Sequence, residues 1–397
     1  MLEGRVTGRH FVRSRISRFG LVAGAAALSL MLLPAAPVGA AARPPKQSLA
    51  NVGSDVAYFM MNLIDNHYQA SSSNSNHDIV TTVPAFNSDP FPASVTEPAD
   101  GVHPAFTWDS STPAQTPPNG GSAGVAALEA DKTGIISFAR GTSSPKTGET
   151  GIDNFWAYAL GAVDYVTFPN SDAPKGLSSA QLQGIYTCNP ATHQPFFTDW
   201  SQVGGRPGGI VRYAPPVGAG TLSFFQTKLL NGQTVDQNCD SSHLATRINQ
   251  DDARNVSSQT FQNAIFVYEW ADWRTQKTGF SKNLTNGSVL GKFGVSSTSE
   301  QTPSATTVNE KKTRYQGTRY IYNVSLKVNH PASDAQQLND INRLIGVRPK
   351  NQGGPQYICS GKAKADISKA GYVPLTKFAT GGIGLGQSFC RLNPTPL

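Results

Sequence analysis

The stretch FWAYALGAVDYVTF, residues 155–168, guides the interpretation of the whole chain. It is rich in aromatic and β-branched residues, a composition typical of one or two strands. A second apolar stretch, IISFA at 135–139, indicates a short buried strand directly upstream. The polar turn RGTSSPKTG at 140–148 separates the two.

Strands and helices alternate beyond this stretch. LSSAQLQGIY carries a capping box, Ser178 with Gln181, so a helix begins there. GGIVRYAPP at 208–216 predicts a strand, and GAGTLSFFQTKLL at 218–230 predicts a helix. AIFVY at 264–268 is a further strand that leads into a helix. The repeated order of strand, glycine-containing turn and helix predicts an α/β fold with mostly parallel sheets.

The first 42 residues have the features of an export signal. Five arginines precede an apolar run over 21–33, and small residues follow it. No cysteine lies in this segment, so a lipobox is missing, and no two arginines are adjacent, which favours the Sec-type route over the twin-arginine route. We therefore expect a secreted, extracellular or cell-surface protein that starts near Ala41 or Arg43.

Composition excludes several classes of function. The signal carries five Arg and one Glu, so +3 of the net charge of +7 belongs to the exported part. Such a balanced chain without basic and aromatic clusters does not indicate nucleic-acid binding. No nucleotide-binding loop and no Cys-x-x-Cys pair is present, so we expect neither a cofactor nor a metal. About 355 exported residues indicate two domains.

Three glycine-containing turns lead directly into predicted helices. They are Gly53-Ser54-Asp55 before the amphipathic stretch that ends at Tyr68, GGSAG at 120–124 and GAGT at 218–221. Each turn fits an ordinary N-cap, with Ser54 or Asp55 as the capping side chain in the first. Each also fits a ligand that approaches free N–H groups at the positive end of a helix dipole. One turn alone does not decide between these interpretations.

Three such turns in one chain favour the second interpretation, because capping alone does not need glycine. If they converge, backbone N–H groups and hydroxyls surround a tetrahedral oxyanion. Arg140 follows a buried strand and is the best candidate for a cationic partner, with a solvated loop arginine as the alternative.

At this point the sequence resembles a known family, the PstS-type phosphate-binding proteins of ABC importers. The resemblance covers about residues 48–390 and is strongest to exported actinobacterial members. It is carried, in this order, by GSD at 53–55, GGSAGVAAL at 120–128, ISFARGTSSPK at 136–146, FWAYALGAVDYVTF at 155–168, LSSAQLQGIYTC at 177–188, DWSQVGG at 199–205 and GAGTLSFF at 218–225.

The resemblance implies a type II periplasmic-binding-protein fold, an α/β fold with two lobes joined by two crossing strands. On that pattern, residues 43–157 and 270–397 form lobe I and residues 158–269 form lobe II. The crossings are expected near 155–163 and 265–268. The resemblance further implies a ligand in the cleft between the lobes. A hinge motion closes the cleft around this ligand.

The four cysteines allow three disulfide pairings. The lobes implied by the resemblance favour sequential pairing, because each bond then stays inside one lobe. This pairs Cys188 with Cys239 and Cys359 with Cys390.

The resemblance also implies ligand-binding positions. Asp55 and Val56 stand where the family uses a hydroxyl and a backbone N–H, and Ser122 matches the serine of the second helix. The Ser-Gly-Thr of the third helix corresponds to Ala219, Gly220 and Thr221, so one hydroxyl is missing here.

Two further departures concern charge. The arginine shortly before the third motif is replaced by Pro215, and no acidic residue follows Arg140 in RGTSSP. Asp55 is our candidate for the acceptor of the phosphate proton, and Arg140 for the missing cation. The sequence thus predicts a monomeric solute-binding protein for inorganic phosphate or a related oxyanion, with an ABC permease as partner.

Two other classes of function are alternatives. Residues 120–124 also fit Gly-x-Ser-x-Gly of serine hydrolases, but the preceding PAQTPPN is unsuited to the buried strand that this motif requires. We therefore expect no catalytic residues. A secreted or cell-surface interaction protein with the same fold, without transport, is the second alternative.

Overall fold

The architecture is that of a computed structural model. It describes residues 47–397 except 86–93, 101–102, 312–313, 329–334, 349–352 and 378–387. The expected signal segment at 1–42 lies outside the described residues. Within the described part of the chain, none of the helices has the length and apolar character needed to cross a membrane.

Fifteen strands are described. They are β1 (Ser48–Gly53), β2 (Ile79–Thr82), β3 (Val95–Glu97), β4 (Phe106–Trp108), β5 (Ile136–Gly141), β6 (Asp153–Thr167), β7 (Leu177–Ser178), β8 (Val211–Ala214), β9 (Thr246–Arg247), β10 (Ala264–Glu269), β11 (Val289–Leu290), β12 (Phe293–Gly294), β13 (Thr318–Leu326), β14 (Val373–Pro374) and β15 (Arg391–Leu392).

Eight α-helices are described, and the fifth continues as one turn of π-helix over Phe225–Leu229. They are α1 (Tyr58–Gln69), α2 (Gly121–Ala130), α3 (Glu149–Ile152), α4 (Ser179–Tyr186), α5 (Gly220–Phe224), α6 (Trp270–Lys277), α7 (Ala335–Ile345) and α8 (Lys364–Lys369). The predicted capping box is confirmed at α4, where the Ser178 hydroxyl accepts the Gln181 N–H and the Gln181 side chain accepts the Ser178 N–H.

One large sheet organises the protein, in the strand order β2-β1-β5-β13-β6-β10-β8-β9. The strands at both ends pair in parallel, as expected. The central pairs β5 with β13, β13 with β6 and β6 with β10 are antiparallel. The prediction of mostly parallel sheets is therefore wrong for the centre, because the chain re-enters the sheet there in the opposite direction.

Residues 155–167 of the quoted stretch lie in β6, a single strand of 15 residues that is buried over nearly its whole length. Its first ten residues, 153–162, pair with β13, and residues 163–166 pair with β10. One strand thus belongs to both halves of the sheet. The predicted boundaries of the two lobes are untested by this pairing and stay a prediction.

The expected N-cap of α1 is wrong. The N-cap residue is Ala57, and no side chain caps this helix. The Asp55 carbonyl instead accepts the Tyr58 N–H, and the Asp55 carboxylate accepts the Val56 N–H at 2.9 Å. Ser54 and Asp55 therefore shape a turn ahead of the helix.

Two disulfides close separate parts of the chain. Cys188 bonds to Cys239 with a Cα–Cα distance of 5.0 Å, and Cys359 bonds to Cys390 with a distance of 4.9 Å. These are the sequential pairings that the sequence favoured.

Candidate functional site

The three glycine-containing turns meet around the end of β5. Gly53 ends β1, which pairs in parallel with β5, and the Ser54 N–H donates to the Arg140 carbonyl at 3.0 Å. The start of α2 lies against the same strand, because a β-carbon added at Gly121 would lie 3.1 Å from the Thr142 nitrogen. A β-carbon added at Gly220 would lie 2.6 Å from the Thr142 hydroxyl oxygen. All three turns therefore approach residues 140–142.

Neither the start of α2 nor that of α5 is capped by a side chain. Their N-cap residues are Gly120 and Ala219, and a β-carbon added at Gly120 would lie 3.2 Å from the Gly218 carbonyl oxygen. The two helix starts are thus neighbours. Uncapped helix N-termini carry N–H groups without intrahelical partners and a partial positive charge, so this junction attracts anions.

Hydroxyl groups gather at the start of α2. Ser122, Ser143 and Ser144 line a small cavity of about 10 Å³, together with Lys146 and Glu149. The buried hydroxyl oxygen of Ser143 has no hydrogen-bond partner among the described residues. A space of this size holds about one water molecule, so a larger anion requires the walls to separate.

Asp55 lies in the first turn and is partly buried. Besides the Val56 N–H, its carboxylate accepts a hydrogen bond from the Gln250 side-chain amide at 2.5 Å. Burial raises the pKa of Asp55, while these two hydrogen bonds and the positive charge of Arg319 oppose the rise. The Val56 N–H, a predicted ligand donor, is occupied here by the neighbouring carboxylate.

A second cavity, of about 190 Å³, opens beside Asp55. Asp251 and Asp272 also line it, with Lys282 as its cation. Burial, with the negative charges of Asp251 and Glu269 as further causes, holds the pKa of Asp272 well above its usual range. Three carboxyl groups make this cavity a poor place for an anion.

Arg140 has a different role from the predicted one. Its side chain is 0% exposed and donates to the carbonyls of Asn51, Ser54 and Val83 at 2.8, 3.1 and 2.7 Å. A further bond goes to the Asn51 side-chain oxygen at 2.5 Å. Burial lowers the pKa of Arg140 to about 10, although the charge of Asp65 opposes this. Protein oxygens occupy these donors, so Arg140 is left out of the site proposed below, and its ligand contact stays a prediction.

The sequence interpretation missed a second buried arginine, Arg319 on β13. It is 2% exposed, forms an ion pair with Glu269 at the end of β10, and donates to the Thr221 hydroxyl at 3.1 Å. Burial raises the pKa of Glu269 to about 7, against the opposing charge of Arg319. The available signal in the sequence was Glu269, an acidic residue directly after the apolar strand AIFVY.

The hydrolase alternative depended on a strand before Ser122. Residues 115–118 form turn and irregular structure, and Asn119 makes only an isolated bridge to Gly53. The local structure that a nucleophile elbow requires is therefore missing there.

Comparison with known proteins identifies the family. A family model described as a PBP superfamily domain matches residues 71–338. The chain belongs to this superfamily. Its fold is accordingly the two-lobed α/β architecture that the sequence predicted. A search of curated proteins returned no match.

Solved structures agree with this PBP assignment at the level of the fold. A protein assigned as a phosphate ABC transporter substrate-binding protein of Clostridium perfringens, solved with bound phosphate, is 13% identical, with 83% of this chain and 100% of that chain covered and a TM-score of 0.51. An ABC-type phosphate transport receptor of Vibrio cholerae is 16% identical, with 82% and 99% covered and a TM-score of 0.49. With the family model, the Clostridium perfringens structure confirms the predicted resemblance to PstS-type proteins for the fold, and the actinobacterial likeness stays a prediction.

Proposed function

We propose that this PBP-superfamily protein binds an inorganic oxyanion, with phosphate as the first candidate, between the starts of α2 and α5 and the turn before α1. The observation that carries the proposal is the approach of these three segments to residues 140–142. The proposed contacts are the predicted Ser54, Asp55, Ser122, Ala219, Gly220 and Thr221. Arg140 and Val56 are left out because their donors bond to protein oxygens.

The donors at this junction are sufficient for useful affinity. A hydrogen bond to a charged group contributes roughly 1.5–3 kcal/mol, and a micromolar complex requires about 8 kcal/mol. Four to six such bonds meet that requirement. N–H groups at the two uncapped helix starts, with the hydroxyls of Ser122, Ser143 and Thr221, supply this number.

Transport is the proposed use of this binding. In a two-lobed protein the ligand is enclosed by a hinge motion, and the small cavity at Ser122 fits a closed arrangement. We propose that residues 43–157 with 270–397 form one lobe and 158–269 the other. An exported monomer of this kind delivers its anion to an ABC permease. The Clostridium perfringens protein, which was solved with bound phosphate, supports the choice of phosphate.

Calorimetric titration tests the proposal. Purified protein, unfolded and refolded with its disulfides intact to remove carried-over ligand, is titrated with phosphate, arsenate and sulfate. We expect binding of phosphate with micromolar or tighter affinity and at least tenfold weaker binding by Thr221→Val. Thr227→Val is the matched control, because Thr227 is exposed on the same helical segment. Absence of heat with all three anions would refute the oxyanion function.

A further inference from the structure

The sheet brings Arg319 and Glu269 together across β6. Arg319 on β13 stands opposite Gly161, and Glu269 on β10 stands opposite Val163. Residues 161 and 163 share one face of the strand, so the arginine and the glutamate lie on that face on opposite sides of β6. A β-carbon added at Gly161 would lie 3.1 Å from Glu269 Oε1, so this glycine leaves the space in which the two side chains meet.

The Arg319 guanidinium connects this pair to the proposed anion site. One nitrogen, Nη2, contacts both Glu269 Oε2 and the Thr221 hydroxyl oxygen, the latter at 3.1 Å. The other, Nη1, lies 3.4 Å from the Thr142 carbonyl oxygen. Thr221 is in the first turn of α5, and Thr142 follows β5. Arg319 therefore lies directly behind two of the segments that converge on the site.

Two charged atoms of this network have no partner among the described residues. They are Arg319 Nε and Glu269 Oε1, in side chains that are 2% and 0% exposed. An unpaired buried polar atom costs free energy, and more when the group is charged. Arg140, which is equally buried, has no atom in this condition among those described. Of the two buried arginines, Arg319 is thus the one with unmet hydrogen-bonding capacity among the described residues.

The direction of the hydrogen bonds decides what Thr221 offers to a ligand. A guanidinium has only donors, so the Thr221 oxygen must accept from Arg319, and its own hydrogen is left for another acceptor. Glu269 Oε2 is 3.5 Å away, at the limit of a hydrogen bond. An oxyanion at the start of α5 would be the better acceptor. Arg319 thus orients Thr221 as a donor toward the proposed site.

We propose that Arg319 is the positioning residue and the positive charge of the oxyanion site, and that Glu269 is its counter-ion and partly offsets that charge. This inference depends on the proposed function. Arg319 would be the cation of the site. Pro215 replaces the arginine that the family has before the third motif, and the donors of Arg140 bond to protein oxygens.

The test combines affinity with coupling. Phosphate is titrated into the purified wild-type protein, Arg319→Met, Thr221→Val and the double variant. We expect each single variant to lose tenfold or more in affinity, and the double variant to lose less than the product of the two single losses, because part of the effect of Arg319 acts through Thr221. Arg391→Met, which breaks the separate Arg391–Glu310 pair, is the control and keeps wild-type affinity.

Glu269→Gln provides an independent readout with the opposite sign. Removing the negative charge of Glu269 leaves the positive charge of Arg319 uncompensated, so phosphate affinity is expected to rise several-fold. Loss of an ion pair with a purely structural role would not raise the affinity. This variant also decides the matter if Arg319→Met does not fold. Wild-type affinity in Arg319→Met, or unchanged or weaker binding in Glu269→Gln, would overturn the inference while the oxyanion function stands. Failure of the wild type to bind phosphate, arsenate or sulfate would instead refute the function itself.

Discussion

Two buried arginines of this protein differ in how their donors are used. Arg140 gives four hydrogen bonds to oxygen atoms of Asn51, Ser54 and Val83. Arg319 contacts a carboxylate, a hydroxyl and one distant carbonyl, and its Nε has no partner among the described residues. The first arrangement joins β1 and β5 with the chain after β2. The second leaves hydrogen-bonding capacity next to an uncapped helix start.

Burial alone does not distinguish the structural role of Arg140 from the role proposed for Arg319. Both side chains are almost completely buried. Backbone carbonyls satisfy a guanidinium without changing its charge, which fixes the local fold. A carboxylate partner, by contrast, sets the net charge of the surroundings and can gain or lose a proton. The predictions below test this distinction from the largest expected effect to the smallest.

Arg140→Met is expected to destabilise the protein most. It leaves several carbonyls and the buried Asp65 without their positively charged partner, which costs about 3–5 kcal/mol. Urea unfolding measures the loss, and phosphate affinity of the folded fraction should stay within twofold of wild type. Arg206→Met is the control, since the Arg206 side chain is 63% exposed. A stable Arg140→Met that binds phosphate poorly would reverse the roles assigned to the two arginines.

The pH dependence of the free energy of unfolding should reveal the raised pKa of Glu269. Its ordinary pKa is 4.5, and burial raises it to about 7 in the folded protein. Between these values the folded state keeps a proton that the unfolded state has lost, so each pH unit lowers the free energy of unfolding by about 1.4 kcal/mol. Above pH 7 Glu269 is ionised in both states, and the stability that its proton contributes at low pH is fully lost.

Comparison with Glu269→Gln isolates this group, because Asp55 and Asp272 remain in both proteins. From pH 4.5 to 8 the wild type should lose up to about 3 kcal/mol relative to the variant. Urea unfolding at several pH values measures the difference. A constant difference across this range would mean that Glu269 is ionised in the folded state throughout.

Gly124→Ala tests the docking of α2 beside Arg140. The added β-carbon would lie 2.5 Å from the Gly53 Cα, so α2 must move away from β1. Overpacking of this kind costs about 1–3 kcal/mol, and the displaced helix start should also weaken phosphate binding. Thermal unfolding and titration measure both effects. Gly151→Ala is the matched control, because a β-carbon there meets no atom within 4 Å; equal behaviour of the two variants would refute the close packing of α2.

Asp55→Asn is expected to change selectivity more than stability. If Asp55 accepts the proton of hydrogen phosphate, its negative charge also repels sulfate, which has no proton to donate. At pH 8 the asparagine variant should lower the preference for phosphate over sulfate by about tenfold, or about 1.4 kcal/mol. Competition titrations measure the ratio. An unchanged preference would remove Asp55 from the site, and Asp109→Asn on an exposed turn controls for the loss of charge.

Local sequence was sufficient for most elements of the fold. The capping box of Ser178 and Gln181, the long strand at 155–168 and the strand before Trp270 were all predictable, because their signals lie within a few residues. The antiparallel centre of the sheet was not predictable from these patterns. Strand direction there depends on where the chain returns, and no short segment encodes that.

The candidate site divides in the same way. The three glycine-containing turns were recognisable in the sequence, since glycine and hydroxyl residues before a helix form a local pattern. The N-cap at Ser54 or Asp55 was wrong because the Asp55 carboxylate bonds to the adjacent Val56 N–H and the helix begins at Tyr58. The hydrogen bonds of Arg140 were not predictable, because its three carbonyl partners belong to other segments.

The order of motifs along the chain by itself determined the family, the α/β alternation and the three glycine-containing turns. Only the tertiary structure decided which arginine stands behind those turns. Arg319 and Thr221 are 98 positions apart, and their contact depends on the register of β13 against β6 and on the space left by Gly161. Register is a property of paired strands, so a single stretch of sequence cannot reveal it.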